Sequence, residues 1–327
     1  MNKNILLTSP DEINYSSQSK LIKDVLSLGV LTIAVIALAF SPIFTKLSEI
    51  ELSPTATIFN RLWIATIITG CWQLTKTDPK FKQIPAKVAT VENKQLSLLI
   101  LASLCATFSA VLWAISLTQT SVASSTVLRS LTPLFISLGA WLILKQSFDR
   151  QFILGMILST IGGMAIGWDD LQLGTAHLLG DGIALFSAAL HGANILIVGY
   201  LRDRDCTTDK VLFWRCGCGT LMVLPVVCLT DTQILPISWS GWLIIIALAA
   251  ICQTFGQGLL VYSLKRFSSS FVGIFALLKP LITALLAWII FAEQISITNG
   301  IALVLILVGI YLAKSSESSA PEQSSSN

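Results

Sequence analysis

Residues 102–119, ASLCATFSAVLWAISLTQ, and residues 249–266, AAICQTFGQGLLVYSLKR, are one stretch written twice. Cys105, Thr107 and Phe108 fall on Cys252, Thr254 and Phe255, and Ser116-Leu117 falls on Ser263-Leu264, all at an offset of 147 positions. The register continues without a gap: Ser121 meets Ser268, Leu131 meets Leu278, Pro133 meets Pro280, and Ala140-Trp141 meets Ala287-Trp288. Apolar segments resemble one another by composition alone. Cys, Pro, Trp and Ser coinciding in one register require a common unit, so the chain is read as an internal repeat. Earlier in each copy, Phe59-Asn60-Arg61 parallels Phe213-Trp214-Arg215.

Both copies consist of apolar runs about twenty residues long, the length that crosses a hydrocarbon core of roughly 30 Å. Of 327 residues, 54% are hydrophobic and 12% are charged, whereas a soluble domain carries about 25% charged residues. Hydropathy windows place spans at 25–45, 54–74, 96–118, 121–143 and 151–167, and again at 180–202, 209–229, 239–264, 268–291 and 296–313. The expected fold is an all-α integral membrane protein of ten transmembrane helices. Five spans per copy is an odd number, so the second copy sits upside down and the two five-helix repeats are inverted. On this reading residues 1–24 are a disordered cytoplasmic N-terminus, 25–167 the first repeat, 168–179 a connector, 180–313 the second repeat and 314–327 a disordered Ser-rich cytoplasmic tail.

Lysines and arginines beside span ends are retained in the cytoplasm. With the N-terminus inside, that side receives Lys3, Lys20, Lys23, the cluster Lys76, Lys80, Lys82, Lys87 and Lys94, then Lys145, Arg150, Arg202, Arg204, Lys210, Lys265, Arg266 and Lys314. Glu49, Glu51, Asp169, Asp170, Asp231 and Glu293 fall on the other side, with Lys46 near a boundary. Equivalent loops exchange charge as inversion demands: Thr118-Gln119 becomes Lys265-Arg266, and Lys145-Gln146 becomes Ala292-Glu293. Both termini are therefore expected in the cytoplasm, with the chain multi-pass in the plasma (inner) membrane. Met1 to Ser19 lacks the apolar region of a cleavable signal, so the first span is expected to remain attached.

The pattern resembles the drug/metabolite transporter (DMT) superfamily, in its ten-helix EamA-type branch. The likeness covers residues 25–313 and rests on four features. They are the paired Phe-x-Arg of spans two and seven, Leu-Thr-Pro-Leu at 131–134 with Leu-Lys-Pro-Leu at 278–281, the loop at Phe291-Ala292-Glu293, and the Gly-rich fifth and tenth spans. The resemblance implies transport of a metabolite without naming a cargo. Two departures stand out: Lys279 before the ninth-span proline, and Arg129 four residues before the fourth-span proline, where the family more often has neutral residues. The first-span glutamate of small cation exporters has no counterpart between Leu26 and Thr45, which argues against proton-coupled cation efflux.

A charge at mid-membrane costs about 2.5–3.5 kcal/mol on insertion scales and needs a partner or a wet cavity. Here the candidates are all positive, namely Arg61, Arg129, Arg215 and Lys279, with His191 in the sixth span and no clear midplane acid. Such a set suits a cavity that accepts negative groups. Lys279 and Arg129 are the substrate-binding candidates, against snorkelling or bonding to carbonyls. Arg61 and Arg215 recur in both copies, which fits a structural or gating task. Pro133 and Pro280 free the carbonyls of Arg129 and Ala276 and are expected to kink their helices near the midplane. Gln253 and Gln257 are four apart on one helix face, and their repeat partners are Ala106 and Ala110. Such asymmetry suits substrate contacts, with interhelical hydrogen bonding as the alternative. His191 and Asn194 could join them or simply pack. Gly155, Ser159, Gly163 and Gly167 form a small-residue ladder for close helix packing.

Asp169-Asp170 is similar to the start of a diphosphate-binding motif but lacks a second pair and is read as a solvated loop. The seven cysteines lack metal-site or redox spacing, and a net charge of +3 is too small for nucleic-acid binding. No cofactor or metal is expected. The partners expected are the lipid bilayer and a small-molecule substrate, with the protein a monomer or homodimer. The leading reading is a secondary transporter, an exporter or exchanger of a small polar or anionic metabolite by alternating access. An integral membrane enzyme and a nontransporting sensor or scaffold are the alternatives.

Overall fold

A computed structural model describes residues 10–75, 93–120, 122–165, 178–291 and 297–320. Lys3, Lys76, Lys80, Lys82, Lys87, Gly167, the Asp169-Asp170 pair and Glu293 lie outside the described residues. The described chain is helical, without a strand. Its first part supplies α1 (Pro10–Ala39), α2 (Ser41–Ser48), α3 (Pro54–Thr75), α4 (Asn93–Gln119), α5 (Val122–Arg129), α6 (Thr132–Leu144) and α7 (Arg150–Ala165). After them come α8 (Leu178–Asp203), α9 (Thr208–Thr230), α10 (Trp239–Ala247), a π-helical stretch (Leu248–Gly256) and α11 (Gln257–Ser263). The last elements are α12 (Ser269–Phe275), α13 (Leu278–Phe291) and α14 (Ile297–Ser315). Six helical stretches among the described residues are long and apolar enough to cross a bilayer, and Ser269–Thr283 and Gly300–Ser315 are shorter apolar ones. Large apolar side chains point outward, Leu229 at 87% and Ile143 at 74% exposure. Apolar surface left in water is unfavourable by about 25 cal/mol per Å², so this outer face fits lipid.

Three apolar stretches are interrupted rather than merely bent, each beside a proline. Pro133 separates α5 from α6 and Pro280 separates α12 from α13, where kinks were expected. The reason is the missing N–H together with the clash of the ring against the preceding turn. Tighter local bonds take up the slack: Thr132 Oγ1 donates to the Arg129 carbonyl at 2.7 Å, and the Lys279 amide donates to that of Ala276 at 3.0 Å. Pro42, near the start of α2, makes the third break. There Cys252 Sγ donates to the Ala37 carbonyl at 3.2 Å and Thr283 Oγ1 to that of Ala39 at 2.8 Å, so α1 is closed off by side chains from the second part of the chain.

Helix starts follow the offset seen in the sequence. Val122 and Ser269 open α5 and α12, and Arg150 and Ile297 open α7 and α14, each pair 147 positions apart. Packing follows the same relation: α3 lies on α9, α7 on α14, and α4 on α8 as α1 lies on the π-helical stretch and α11. The α7–α14 contact is backbone on backbone. A Cβ on Gly155 would stand 2.5 Å from the Gly309 carbonyl oxygen, and one on Gly162 would stand 2.9 Å from that of Ala302. Ser159 Oγ donates to the Ile306 carbonyl at 3.4 Å. Gly162 belongs to this face although the spacing-four ladder passed over it, while Gly163 turns toward Ser130 and Leu277.

The two segments expected to be disordered contain ordered stretches among the described residues. Helix α1 begins at Pro10, inside the polar start, because adding turns to a helix already nucleated by its apolar part is far easier than starting one. The tail is ordered as far as Ala320: Ser268 holds it, its amide donating to the Ser319 carbonyl at 3.0 Å and its hydroxyl to that of Ser318 at 2.9 Å. Asp149, ahead of α7, accepts from Ser316 Oγ at 2.5 Å and Ser318 Oγ at 3.3 Å. The hydroxyls of Ser316 and Ser318 and the Phe152 amide hold the Asp149 carboxyl below the ordinary carboxylate range. A depressed folded pKa means that the anchoring is complete above the unfolded value and lost as pH falls through the folded one. A spin label at Ala320 should therefore be immobile at neutral pH and gain mobility in acid below about pH 4. In Asp149→Ala it should be mobile at both.

Candidate functional site

The proline break of α12 and α13 sets the site. Because α13 restarts at Leu278, Lys279 sits on its first turn rather than within a continuous helix, and its half-buried side chain faces a cavity of about 50 Å³. The other walls come from α8, which presents His191 and Asn194, from α9 with Arg215, from α11 with Gln257, and from α1 with Val35 and Leu38. Arg215 donates to Gln257 Oε1 at 3.2 Å. The π-helical stretch ends immediately before Gln257. Such wide turns shift side chains relative to an α-helix and occur often at functional sites.

Five of the ten residues singled out in the sequence thus line one cavity: His191, Asn194, Arg215, Gln257 and Lys279. Gln253 is not with them. It is buried, with Nε2 3.5 Å from Cys216 Sγ on α9, so the two glutamines expected on a common face take different partners. Arg129, the last residue of α5, donates to Ser187 Oγ at 2.6 Å and to Ser109 Oγ at 3.5 Å, and its guanidinium lies 5.1 Å from the centre of the Trp113 ring. Those three partners carry no motif and were missed in the sequence. Ser109 and Ser187 also bond each other's carbonyls at 2.8 Å, locking α4 to α8 beneath the arginine. Arg61 on α3 keeps a buried Nε without a hydrogen-bond partner.

The cations belong to one electrostatic neighbourhood. Lys279 feels Arg129 and Arg61, Arg215 feels Arg61, and His191 feels Arg129, Lys279 and Arg215. None of the four forms an ion pair among the described residues. The ion pair between Lys265 and Asp205, 2.6 Å, lies far off in an exposed turn. There the hydrogen bond from Lys265 lowers the carboxyl pKa of Asp205. Pro133 and Pro280 stand at the two helix breaks, the first packed where a Cβ on Gly273 would meet its Cα at 3.6 Å.

Known proteins supply the remaining context. An uncharacterized transporter of Methanothermobacter thermautotrophicus is 23% identical over 225 residues, 67% of this chain and 64% of the relative's length. One of Archaeoglobus fulgidus is 21% identical over 286 residues, covering 86% of this chain and 95% of its own. A protein solved by crystallography superposes with a TM-score of 0.73 at 16% identity, over 88% of this chain and 96% of the other, a likeness of fold. The model of the EamA-like transporter family matches twice, at residues 26–168 and 178–314. One family domain thus accounts for both copies of the repeated sequence, and the chain belongs to the EamA-like transporter family, a membrane transporter within the drug/metabolite transporter superfamily.

Proposed function

We propose that this transporter is a secondary carrier that exports or exchanges a small polar or anionic metabolite by alternating access of two inverted five-helix halves. The observation that carries the reading is that Lys279 and Arg215 line one cavity, with Arg129 and Arg61 near enough to act on them electrostatically, and none of the four has an ion pair among the described residues. Each uncompensated charge at membrane depth costs about 2.5–3.5 kcal/mol, and an anionic cargo supplies the missing counter-charge while it is bound. Lys279 meets the anionic group, Gln257 and His191 bind its polar periphery, and Asn194 sits beside them. Gln253 acts on the cavity through α9. Arg129, held by Ser187, contributes its field, and Arg61 and Arg215 set the gate between halves.

Ten spans with both termini in the cytoplasm of a plasma-membrane location fit the lysine and arginine distribution. The helix breaks at Pro133 and Pro280 supply the moving parts. Helices α6 and α12 pack closely, a Cβ on Gly273 lying 2.5 Å from Ile136 Cδ1, whereas their repeat equivalents α13 and α5 make no comparable contact among the described residues. That inequality supports a state sealed at the end of the bundle bearing Lys265 and Lys314 and open at the other. Metabolites inside and outside cells with and without the protein test the proposal. An organic anion is expected to redistribute; if only neutral or cationic solutes respond, the reading fails.

A further inference from the structure

Asn194 is 1% exposed, lines the same cavity as Lys279, and its Oδ1 has no hydrogen-bond partner. A buried carbonyl oxygen is an acceptor only, and leaving it unpaired is unfavourable. A donor brought into the cavity by the cargo would complete it. None of the donors that share the cavity, Lys279, His191, Arg215 and Gln257, bonds to it, and Arg215 is engaged with Gln257. An ammonium on the cargo would satisfy the oxygen. It would also stand beside Lys279 and Arg215 and within the field of Arg129 and Arg61, which together repel it. A hydroxyl donates without adding charge. Ile195, Val198 and Leu260 complete the wall with hydrocarbon, which suits a carbon skeleton between the two polar contacts. The cavity volume of about 50 Å³ keeps that skeleton short.

We infer that the cargo is a small organic anion bearing a neutral hydroxyl, its anionic group at Lys279 and its hydroxyl donating to Asn194 Oδ1. The inference rests on the anionic reading given above and adds the hydroxyl to it. An acceptor left bare in the complex forfeits most of a hydrogen bond, so the hydroxylated member of a matched pair should bind roughly tenfold tighter than its deoxy analogue.

Binding of six compounds to the purified full chain in detergent, measured by ligand-induced thermal shift and by calorimetry, decides it. They are L-lactate, propionate, pyruvate and L-alanine, followed by the phosphate pair 2-hydroxypropyl phosphate and propyl phosphate. Lactate above propionate, or 2-hydroxypropyl phosphate above propyl phosphate, by roughly tenfold is expected, and the pair that discriminates names the anionic group. In Asn194→Leu the hydroxylated member should fall to the level of its deoxy partner. The wild-type ratios stand alone if that variant does not fold. Equal binding within both pairs, or preference for pyruvate or alanine over lactate, overturns the hydroxyl inference while leaving an anion site. Absence of binding by every anion overturns the anionic reading as well.

Discussion

Replacing Lys279 with Met is expected to lower uptake of the anionic cargo into reconstituted vesicles by at least tenfold while leaving the melting temperature unchanged or raised. The two effects have one cause. Lys279 holds a charge next to Arg129 and Arg61 with no ion-pair partner among the described residues, so the empty protein gains by its removal. The loaded protein loses a charge-assisted contact of about 1.5–3 kcal/mol, equivalent to about ten- to a hundredfold in affinity. Met keeps most of the length and the apolar stem, so the packing of α13 against α1 persists. Arg129→Gln should reduce uptake less, because that guanidinium is bonded to Ser187 at 2.6 Å and acts at a distance. Uptake unchanged in both variants would remove the positive site from consideration.

Gly309→Ala should destabilise the fold more than any single change in the cavity. A Cβ there would stand 2.2 Å from Ser159 Oγ, 2.5 Å from the Gly155 carbonyl oxygen and 2.7 Å from the Ser159 amide nitrogen. Two of those three atoms are backbone and cannot rotate away, so α7 and α14 must separate. Overpacking costs about 1–3 kcal/mol and sometimes more, and the rigid neighbours place this case at the upper end. Gly300→Ala on the same helix meets nothing within 4 Å, and its helix propensity improves by up to about 1 kcal/mol. Opposite shifts of melting temperature in detergent are expected from the two substitutions. A fall in both, or in neither, would show that the α7–α14 contact does not limit stability.

Helix positions were legible because hydropathy and the proline-marked repeat are local properties of the chain. The α7–α14 seam was also visible in Gly155 and Ser159, although only coordinates separate Gly162 from Gly163, which a shift of one residue turns to different neighbours. The cavity was half legible. Charged residues in apolar runs stand out one by one, and that picked Lys279, Arg215 and His191. What sequence spacing could not supply was the partner of each. Gln253 and Gln257 share a face on an ideal α-helix, but the π-helical stretch between Leu248 and Gly256 carries no composition signal and sends one glutamine to Cys216 and the other to the cavity. Ser109 and Ser187 looked like ordinary small residues until α4 and α8 brought them under Arg129. The ordered tail was hidden for a similar reason, since Ser316 and Ser318 gain their anchors only from Asp149 and Ser268, distant in sequence.

That wide-turned stretch has a kinetic corollary. In α4, the counterpart from the first copy, the turns remain α-helical throughout. A carrier made of two identical inverted copies would have mirror-image resting states of equal free energy, and the empty protein would divide its time evenly between the two faces of the bilayer. On the proposed alternating-access reading, one copy with a different helical pitch breaks that degeneracy: the wait for the empty protein to turn round becomes longer in one direction than in the other, so the same cargo gradient reversed in sign is expected to drive unequal fluxes.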